Sequence, residues 1–196
     1  MTAVWSLNEI QSLAHKAVRG SGYGWGVAED AGQAVRWLLA RDLPGADAVL
    51  AVCEAGARSA PETCPLTIGC ALSDGLFPVL EFGTRPVVSP LLILPFLAWR
   101  AERDKVSLSL SWQGCDFVVG TCGELSVKGK TLNPGAANLT ISAAVADRAD
   151  HVREAYRASV DCEVYVALSR FAGRTYAPST QASRESGAGA GLTDND

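Results

Sequence analysis

Arginines lie among hydroxyl and glycine residues near the end of the chain. The residues of this segment that suit anion binding are Arg174, Tyr176, Ser183, Arg184, Gly187 and Gly189. An arginine side chain presents a planar fork of N–H donors to a carboxylate or phosphate, and glycine lets backbone N–H groups approach the same anion. The pattern predicts a substrate-binding site for an anion. The alternative is a C-terminal arm that wraps its own subunit or a partner, with its arginines in solvent.

A second candidate lies in the glycine-rich stretch SGYGWGVAEDAG, residues 21–32. Tyr23 and Trp25 alternate with glycines there and precede a predicted helix. We expect Trp25 to form a wall of a ligand site and Glu29 to act as a catalytic acid or base. The alternative is an ordinary turn, with Glu29 and Asp30 in the first turn of a helix whose dipole favours acids.

Cys64 is the second catalytic candidate, as a nucleophile in a predicted loop between Thr63 and Pro65. A thiol becomes nucleophilic when a neighbouring base or positive charge lowers its pKa. The histidines available for this are His15 and His151. The alternative is an unreactive structural thiol.

The glycines of the closing GAGAG match only the first half of a dinucleotide-binding fingerprint. That fingerprint needs a strand before it and a helix after it, and only five residues follow Gly191. We therefore expect no Rossmann site, and we expect a solvated acidic end rather than a metal site at Asp194 and Asp196. No P-loop, G-x-S-x-G or H-E-x-x-H motif occurs, so no cofactor is indicated.

The composition is that of a globular protein with a sizeable core. Apolar residues make up 48% of the 196 residues and charged residues 19%, and the net charge is −4. The charge and the lack of a long basic run argue against a nucleic-acid partner. The apolar stretch from Pro86 to Trp99 is shorter than the roughly 20 residues of a membrane span. With no leader at the N-terminus, we expect a cytoplasmic protein whose six cysteines are free thiols.

The pattern along the chain predicts an α+β fold. Ser6 and Glu9 form a capping box before a first helix, and two more helices follow, the third opened by Pro44 and ending near Gly56. Segments 65–75 and 78–83 resemble short strands, and a helix follows Pro90. Alternating residues in KVSLSLSW, followed by CDFVVG, ELSVKGK and NLTISAAV, indicate a central antiparallel meander of about four or more strands. Helical signals return between residues 150 and 171, followed by an extended ordered tail.

Three segments together resemble a bacterial family of small proteins known only as a domain of unknown function. They are GWGVAEDAG…AVRWL, CPLTIGCALSD and the closing GRTYAPSTQASRESGAGAGLTDND. The resemblance implies a bacterial cytoplasmic protein and no particular catalytic residue. The leading SLNEIQSLAHKAVRGSGY is also similar to the first helices of the malate/lactate dehydrogenase family that lacks a Rossmann fold.

Two functions are compatible with these patterns. The first is a small enzyme of small-molecule metabolism that acts on an anionic carboxylate, with Trp25 and the C-terminal arginines holding the substrate. The second is a non-catalytic subunit or ligand-binding module whose C-terminal arm docks on a dimer mate or on an operon-encoded partner. We expect one compact domain over residues 1–174 and a glycine-rich arm over residues 175–196.

Overall fold

The chain has an α+β fold, as its sequence predicts. The computed structural model describes residues 1–57, 60–76, 78–79, 82–130, 132–133, 135–144 and 155–176. Within those residues lie six α-helices: α1 (Leu7–Gly20), α2 (Trp25–Ala40), α3 (Gly45–Ala55), α4 (Pro65–Asp74), α5 (Ile93–Asp104) and α6 (Cys162–Gly173). A 3₁₀ turn, Pro90–Leu92, leads into α5.

Seven strands form two antiparallel sheets in the same described residues. They are β1 (Thr2–Ser6), β2 (Thr84–Val88), β3 (Leu108–Trp112), β4 (Cys115–Val119), β5 (Leu125–Gly129), β6 (Ala136–Ala143) and β7 (Arg157–Asp161). The larger sheet has the order β2-β6-β3-β4-β5, and the smaller one pairs β1 with β7. Strands β3, β4 and β5 are consecutive neighbours, as in the predicted meander, but the fourth predicted strand, β6, does not continue it. Strand β6 returns to the other side of β3, which makes β3 to β6 a Greek key.

Helix α1 is the best-specified element of the N-terminal half. The Ser6 hydroxyl accepts a hydrogen bond from the Glu9 amide, and the Glu9 carboxylate accepts one from the Ser6 amide, so the predicted capping box is confirmed. The buried residues of α1 recur at helical spacing: Leu7, Ile10, Ala14, Ala17 and Val18. This apolar stripe packs against α2, α3 and α6.

Glycines allow the helices to approach one another closely. A Cβ atom at Gly20, the last residue of α1, would collide with the carbonyl oxygen of Phe171 in α6. A Cβ atom at Gly32 of α2 would lie 2.9 Å from the carbonyl oxygen of Gln11 in α1. Both neighbours are backbone atoms, which cannot rotate away as a side chain can. The two glycines therefore set how near α2 and α6 lie to α1.

The prediction of a strand over residues 65–75 is wrong, because Pro65–Asp74 forms helix α4. Pro65 opens that helix, where its missing N–H costs nothing, and Gly75 ends it in the left-handed conformation. The buried Leu66, Ile68, Gly69 and Leu72 form its core-facing side. This short apolar run suits either structure locally, and burial against α5 selects the helix. Cys70 accordingly lies in a helix rather than a strand.

Other local predictions also differ from the structure. Among the described residues of segment 78–83, none lies in a strand. Pro95 lies in the first turn of α5, where its missing N–H breaks no hydrogen bond within the helix. Strands β1 and β7 were not predicted, and β7 lies in the segment where the sequence indicated helix. They are five residues long and pair with each other, although more than 150 positions separate them in the chain.

The α1–α6 crossing yields a prediction about stability. We expect Gly20→Ala to lower the free energy of unfolding by about 1–3 kcal/mol, because the added methyl overpacks a backbone contact. Gly173→Ala, at the end of α6, is the matched control, since a Cβ atom there meets nothing within 4 Å. Urea unfolding of both variants measures the difference. Equal midpoints for the two variants would contradict this role for Gly20.

Candidate functional site

A small pocket lies where the ends of α1 and α6 meet the start of α2. Its volume is about 250 Å³, and the residues that line it are Arg19, Gly20, Trp25, Arg174 and Thr175. It brings together Trp25 and Arg174, which the sequence predicted as substrate-binding residues from opposite ends of the chain. We call it the arginine pocket.

Arg19 and Trp25 form one side of the arginine pocket. The Arg19 guanidinium carbon lies 4.9 Å from the centre of the Trp25 ring, and its Nη1 atom donates a hydrogen bond of 2.7 Å to the Tyr23 carbonyl. The His15 ring meets Trp25 edge-on at 5.9 Å between centroids. Trp25 is nevertheless 65% exposed. The indole therefore rests on α1 between His15 and Arg19 and keeps much of its surface available to a ligand.

Arg174 forms the opposite side of the pocket, directly after α6. Its guanidinium carbon lies 4.4 Å from the centre of the Phe171 ring, and its amide donates to the Phe171 carbonyl at 3.0 Å. The neighbouring Thr175 hydroxyl donates to the Ala172 carbonyl at 2.8 Å. These contacts hold the residues that follow α6 in a defined turn, so that Arg174 faces the pocket.

The arginine pocket is cationic. Within the described residues, no carboxylate lies at ion-pair distance from Arg19 or Arg174. The first residue of α2, Trp25, lines the pocket, and the N-cap residue Gly24 has no side chain that could accept hydrogen bonds from the first amides. These amides and the positive end of the α2 dipole favour an anion. The carbonyl ends of α1 and α6 have the opposite effect, and the two guanidinium groups offset it.

Tyr176 lies beside the arginine pocket rather than in it. It lines a neighbouring groove of about 530 Å³ between α1 and α6. Its hydroxyl accepts a hydrogen bond from Lys16 Nζ at 3.2 Å, and the same ammonium lies 5.7 Å from the centre of its ring. Lys16 thus extends the positive surface of α1 from Arg19 toward Tyr176.

The two predicted catalytic residues lie elsewhere. Glu29 is exposed on α2, one residue beyond its first turn, and is not among the residues that line the arginine pocket. Cys64 is the N-cap residue of α4, is 4% exposed, and lies 3.4 Å from the Tyr23 hydroxyl. The pKa of the Tyr23 hydroxyl is raised, mainly by burial and further by the contact with Cys64. Tyr23 therefore stays protonated and cannot act as a base that removes the proton from the Cys64 thiol.

Two further thiols lie near Cys64 in the helical part of the molecule. Burial raises the pKa of Cys53 to about 12. Burial, together with the Asp30 carboxylate 3.5 Å from its sulfur, raises the pKa of Cys70 to about 12 as well. Thiols with such pKa values carry almost no thiolate at neutral pH, so this cluster lacks a nucleophile at Cys53 and Cys70.

Part of the predicted site falls outside the described residues. Ser183, Arg184, Gly187 and Gly189 belong to this part, so their contribution stays a prediction, as does the extended ordered tail beyond residue 176. The structure adds Arg19, Thr175 and Lys16, which the sequence reasoning missed. One signal was present for Arg19: it directly precedes the glycine-rich turn that carries Trp25, so a loop folding back on α1 would meet it.

Residues 5–66 match the model of a family described as a protein of unknown function, DUF3726. This segment of the chain is similar to that family, and it includes Arg19, Trp25 and Cys64. It covers fewer than half of the residues and does not include the C-terminal segment. No curated protein and no solved structure matches the chain. The similarity thus supports an uncharacterised family and assigns no activity.

The thiol environments predict which cysteine reacts first. At pH 8 we expect the exposed Cys122 to react rapidly with a disulfide reagent such as dithionitrobenzoate, while Cys53 and Cys70 react only on unfolding. Absorbance at the thionitrobenzoate band measures both phases. Cys122→Ser should remove the rapid phase and Cys53→Ser should leave it. A rapid phase lost in Cys64→Ser instead would establish Cys64 as a reactive thiol.

The same raised pKa values predict an alkaline loss of stability. The folded pKa of Cys53 is about 12, above its ordinary value of about 8.5 when unfolded. Burial of the neutral thiol therefore stabilises the fold below the unfolded pKa, and this contribution is lost as the pH rises from about 9 toward 12. We expect Cys53→Ala to show a shallower decline in melting temperature than the wild type between pH 8 and 10.5. Parallel declines would contradict this account.

Proposed function

We propose that the chain binds a small carboxylate or phosphate in the arginine pocket and acts as a ligand-binding module. One observation carries the proposal. Two guanidinium groups from opposite ends of the chain, each stacked on an aromatic ring, line one pocket without a carboxylate partner in the described residues.

Besides the positive charge, the stacking of each guanidinium group on an aromatic ring also supports anion binding. A guanidinium held over a ring loses less conformational freedom when it engages an anion, and its N–H edge stays available for a bidentate contact. The volume of about 250 Å³ lies below the usual range for drug-sized ligands of roughly 300–1,000 Å³. A small dicarboxylate or a phosphate group therefore suits it better than a larger compound.

The alternative function is an enzyme of small-molecule metabolism that acts on the same kind of anion. Acid–base or nucleophilic catalysis needs a group within hydrogen-bond reach of the substrate. Glu29 and Cys64 were the candidates, and neither lines the arginine pocket. We therefore favour binding over catalysis, with the C-terminal arm, residues 175–196, docking on a partner or dimer mate.

The cellular setting belongs to the same proposal. We infer a cytoplasmic protein of bacterial origin from the sequence resemblance, and a homodimer or an operon-encoded partner as its assembly. Across the described residues, no helix combines the length and apolar character that a bilayer crossing requires.

Thermal shift and calorimetry test the pocket directly. We expect succinate or inorganic phosphate at millimolar concentration to raise the melting temperature, because a ligand that binds only the folded state stabilises it. Arg174→Gln should weaken binding about tenfold or more, since it removes a charge-assisted contact. Arg170→Gln is the matched control, because Arg170 is exposed on α6 and lines none of the pockets described above.

Two outcomes would overturn the proposal. Binding of neither anion would reject the pocket as an anion site, and binding unaffected by Arg174→Gln would move the site elsewhere. Glu29→Gln, an isosteric change, separates the two functions. If the protein is a binding module, the Kd for succinate should stay within about twofold of the wild-type value. If the wild type converts a bound anion at a measurable rate and the variant does not, the result favours the enzyme.

A further inference from the structure

A second cavity lies near the N-terminal end of α1, away from the arginine pocket. Its volume is about 400 Å³, and it shares no lining residue with the arginine pocket. Four parts of the chain surround it: α1, α2, α5 and the residues that precede β7. The side chains that matter are Gln11, Gln33, Arg36, Trp37, Arg41 and Trp99. We call it the indole cavity.

The rim of the indole cavity is tied by backbone hydrogen bonds. The Ala155 amide donates to the carbonyl of Ala40, near the end of α2, at 2.8 Å. The Leu7 amide at the start of α1 donates to the Tyr156 carbonyl at 3.4 Å. The segment before β7 is thereby attached to both helices, and the cavity exists in the folded chain before any ligand binds.

Two indoles give the cavity aromatic walls. The Arg41 guanidinium carbon lies 4.0 Å from the centre of the Trp37 ring, and its Nη1 atom donates to the Trp37 carbonyl at 3.3 Å. Trp99 is held edge-on against Phe96 of α5, with 5.0 Å between ring centroids. Both indoles are thus held by contacts within the protein and also line the cavity, where an aromatic surface can stack against a planar ring.

The polar groups around the indoles can form hydrogen bonds with the edge of such a ring. The side-chain amides of Gln11 and Gln33 make no hydrogen bond within the described residues, and an amide offers both a donor and an acceptor. Arg36 donates to the Asn8 side-chain oxygen, which orients its guanidinium. Among the lining residues that the structure describes, none is acidic, and Arg36 lies beside these amides. The positive charge of Arg36 therefore favours an anionic group on a ligand.

We propose that the indole cavity binds a planar heteroaromatic acid, with the ring against Trp37 or Trp99, its edge on the glutamine amides and its acid group on Arg36. This site and ligand class are independent of the arginine pocket. Ring stacking supplies affinity, and the amides and Arg36 supply orientation and specificity.

Binding of nicotinate and adenosine 5′-monophosphate, measured by calorimetry and tryptophan fluorescence, tests this proposal. The experiment uses the full chain carrying Arg174→Gln, so that the arginine pocket contributes little. We expect at least one of the two to bind with a Kd below about 1 mM and about tenfold more tightly than succinate or adenosine. Succinate lacks the ring and adenosine lacks the acid group.

Gln33→Glu is the decisive variant, because it adds a carboxylate at an exposed lining position with almost no change in shape. We expect it to weaken nicotinate or AMP binding at least fivefold, by roughly the effect of one charge–charge contact. Gln113→Glu makes the same change in the exposed β3–β4 turn and should leave the Kd within about twofold. Trp37→Phe should also weaken binding and reduce the fluorescence change.

Three results would overturn the proposal. Neither probe binding below millimolar concentration would reject the ligand class. Equal affinity for succinate or adenosine would show that the ring or the acid group is not recognised. An equal effect of Gln33→Glu and Gln113→Glu would show that any binding occurs outside the indole cavity. Unchanged melting curves for the variants ensure that each result reports on binding rather than folding.

Discussion

The close approach of α1 to α2 and α6 is the constraint on which the helical half of the molecule depends. Helix α1 buries one apolar stripe against both neighbours, and Gly20 and Gly32 remove the side chains that would hold them apart. Because the last turn of α1 touches α6, Arg19 and Arg174 line the same pocket. Because α2 lies against α1, Trp25 rests on Arg19 at one end and Trp37 lines a cavity with Gln11 at the other. Both candidate sites are therefore consequences of one packing arrangement.

The larger sheet has a different role. Its strands β3 and β4 bury alternate residues against α5, and none of its residues lines the arginine pocket or the indole cavity. The sheet supports α5, and α5 carries Trp99 into the indole cavity. The smaller sheet lies closer to the two candidate sites. Its strand β7 follows the segment at the rim of the indole cavity and leads directly into α6. The candidate ligand-binding residues thus lie on the helices or directly beside them, while the strands hold those helices in place.

Predictions from the sequence succeeded where the signal is local. The Ser6–Glu9 capping box, the helix after the glycine-rich turn and the alternating buried face of β3 follow from neighbouring residues alone, and all three are present. They failed where a short apolar run satisfies two structures, as in α4, because only burial against α5 decides between them. They also failed for β1 and β7, since a strand that pairs across most of the chain leaves little mark on its own residues.

The sequence by itself determined the class of fold and the chemistry available to the site. Trp25 and Arg174 are recognisable as ligand-binding types, because an indole surface and a guanidinium fork are properties of the side chains themselves. Only the tertiary structure decided that these two residues line one pocket, that Arg19 lines it with them, and that Glu29 and Cys64 lie elsewhere. It also decided that two tryptophans from α2 and α5 enclose a second cavity. Convergence of this kind depends on packing between residues far apart in the chain, and no local pattern encodes those distances.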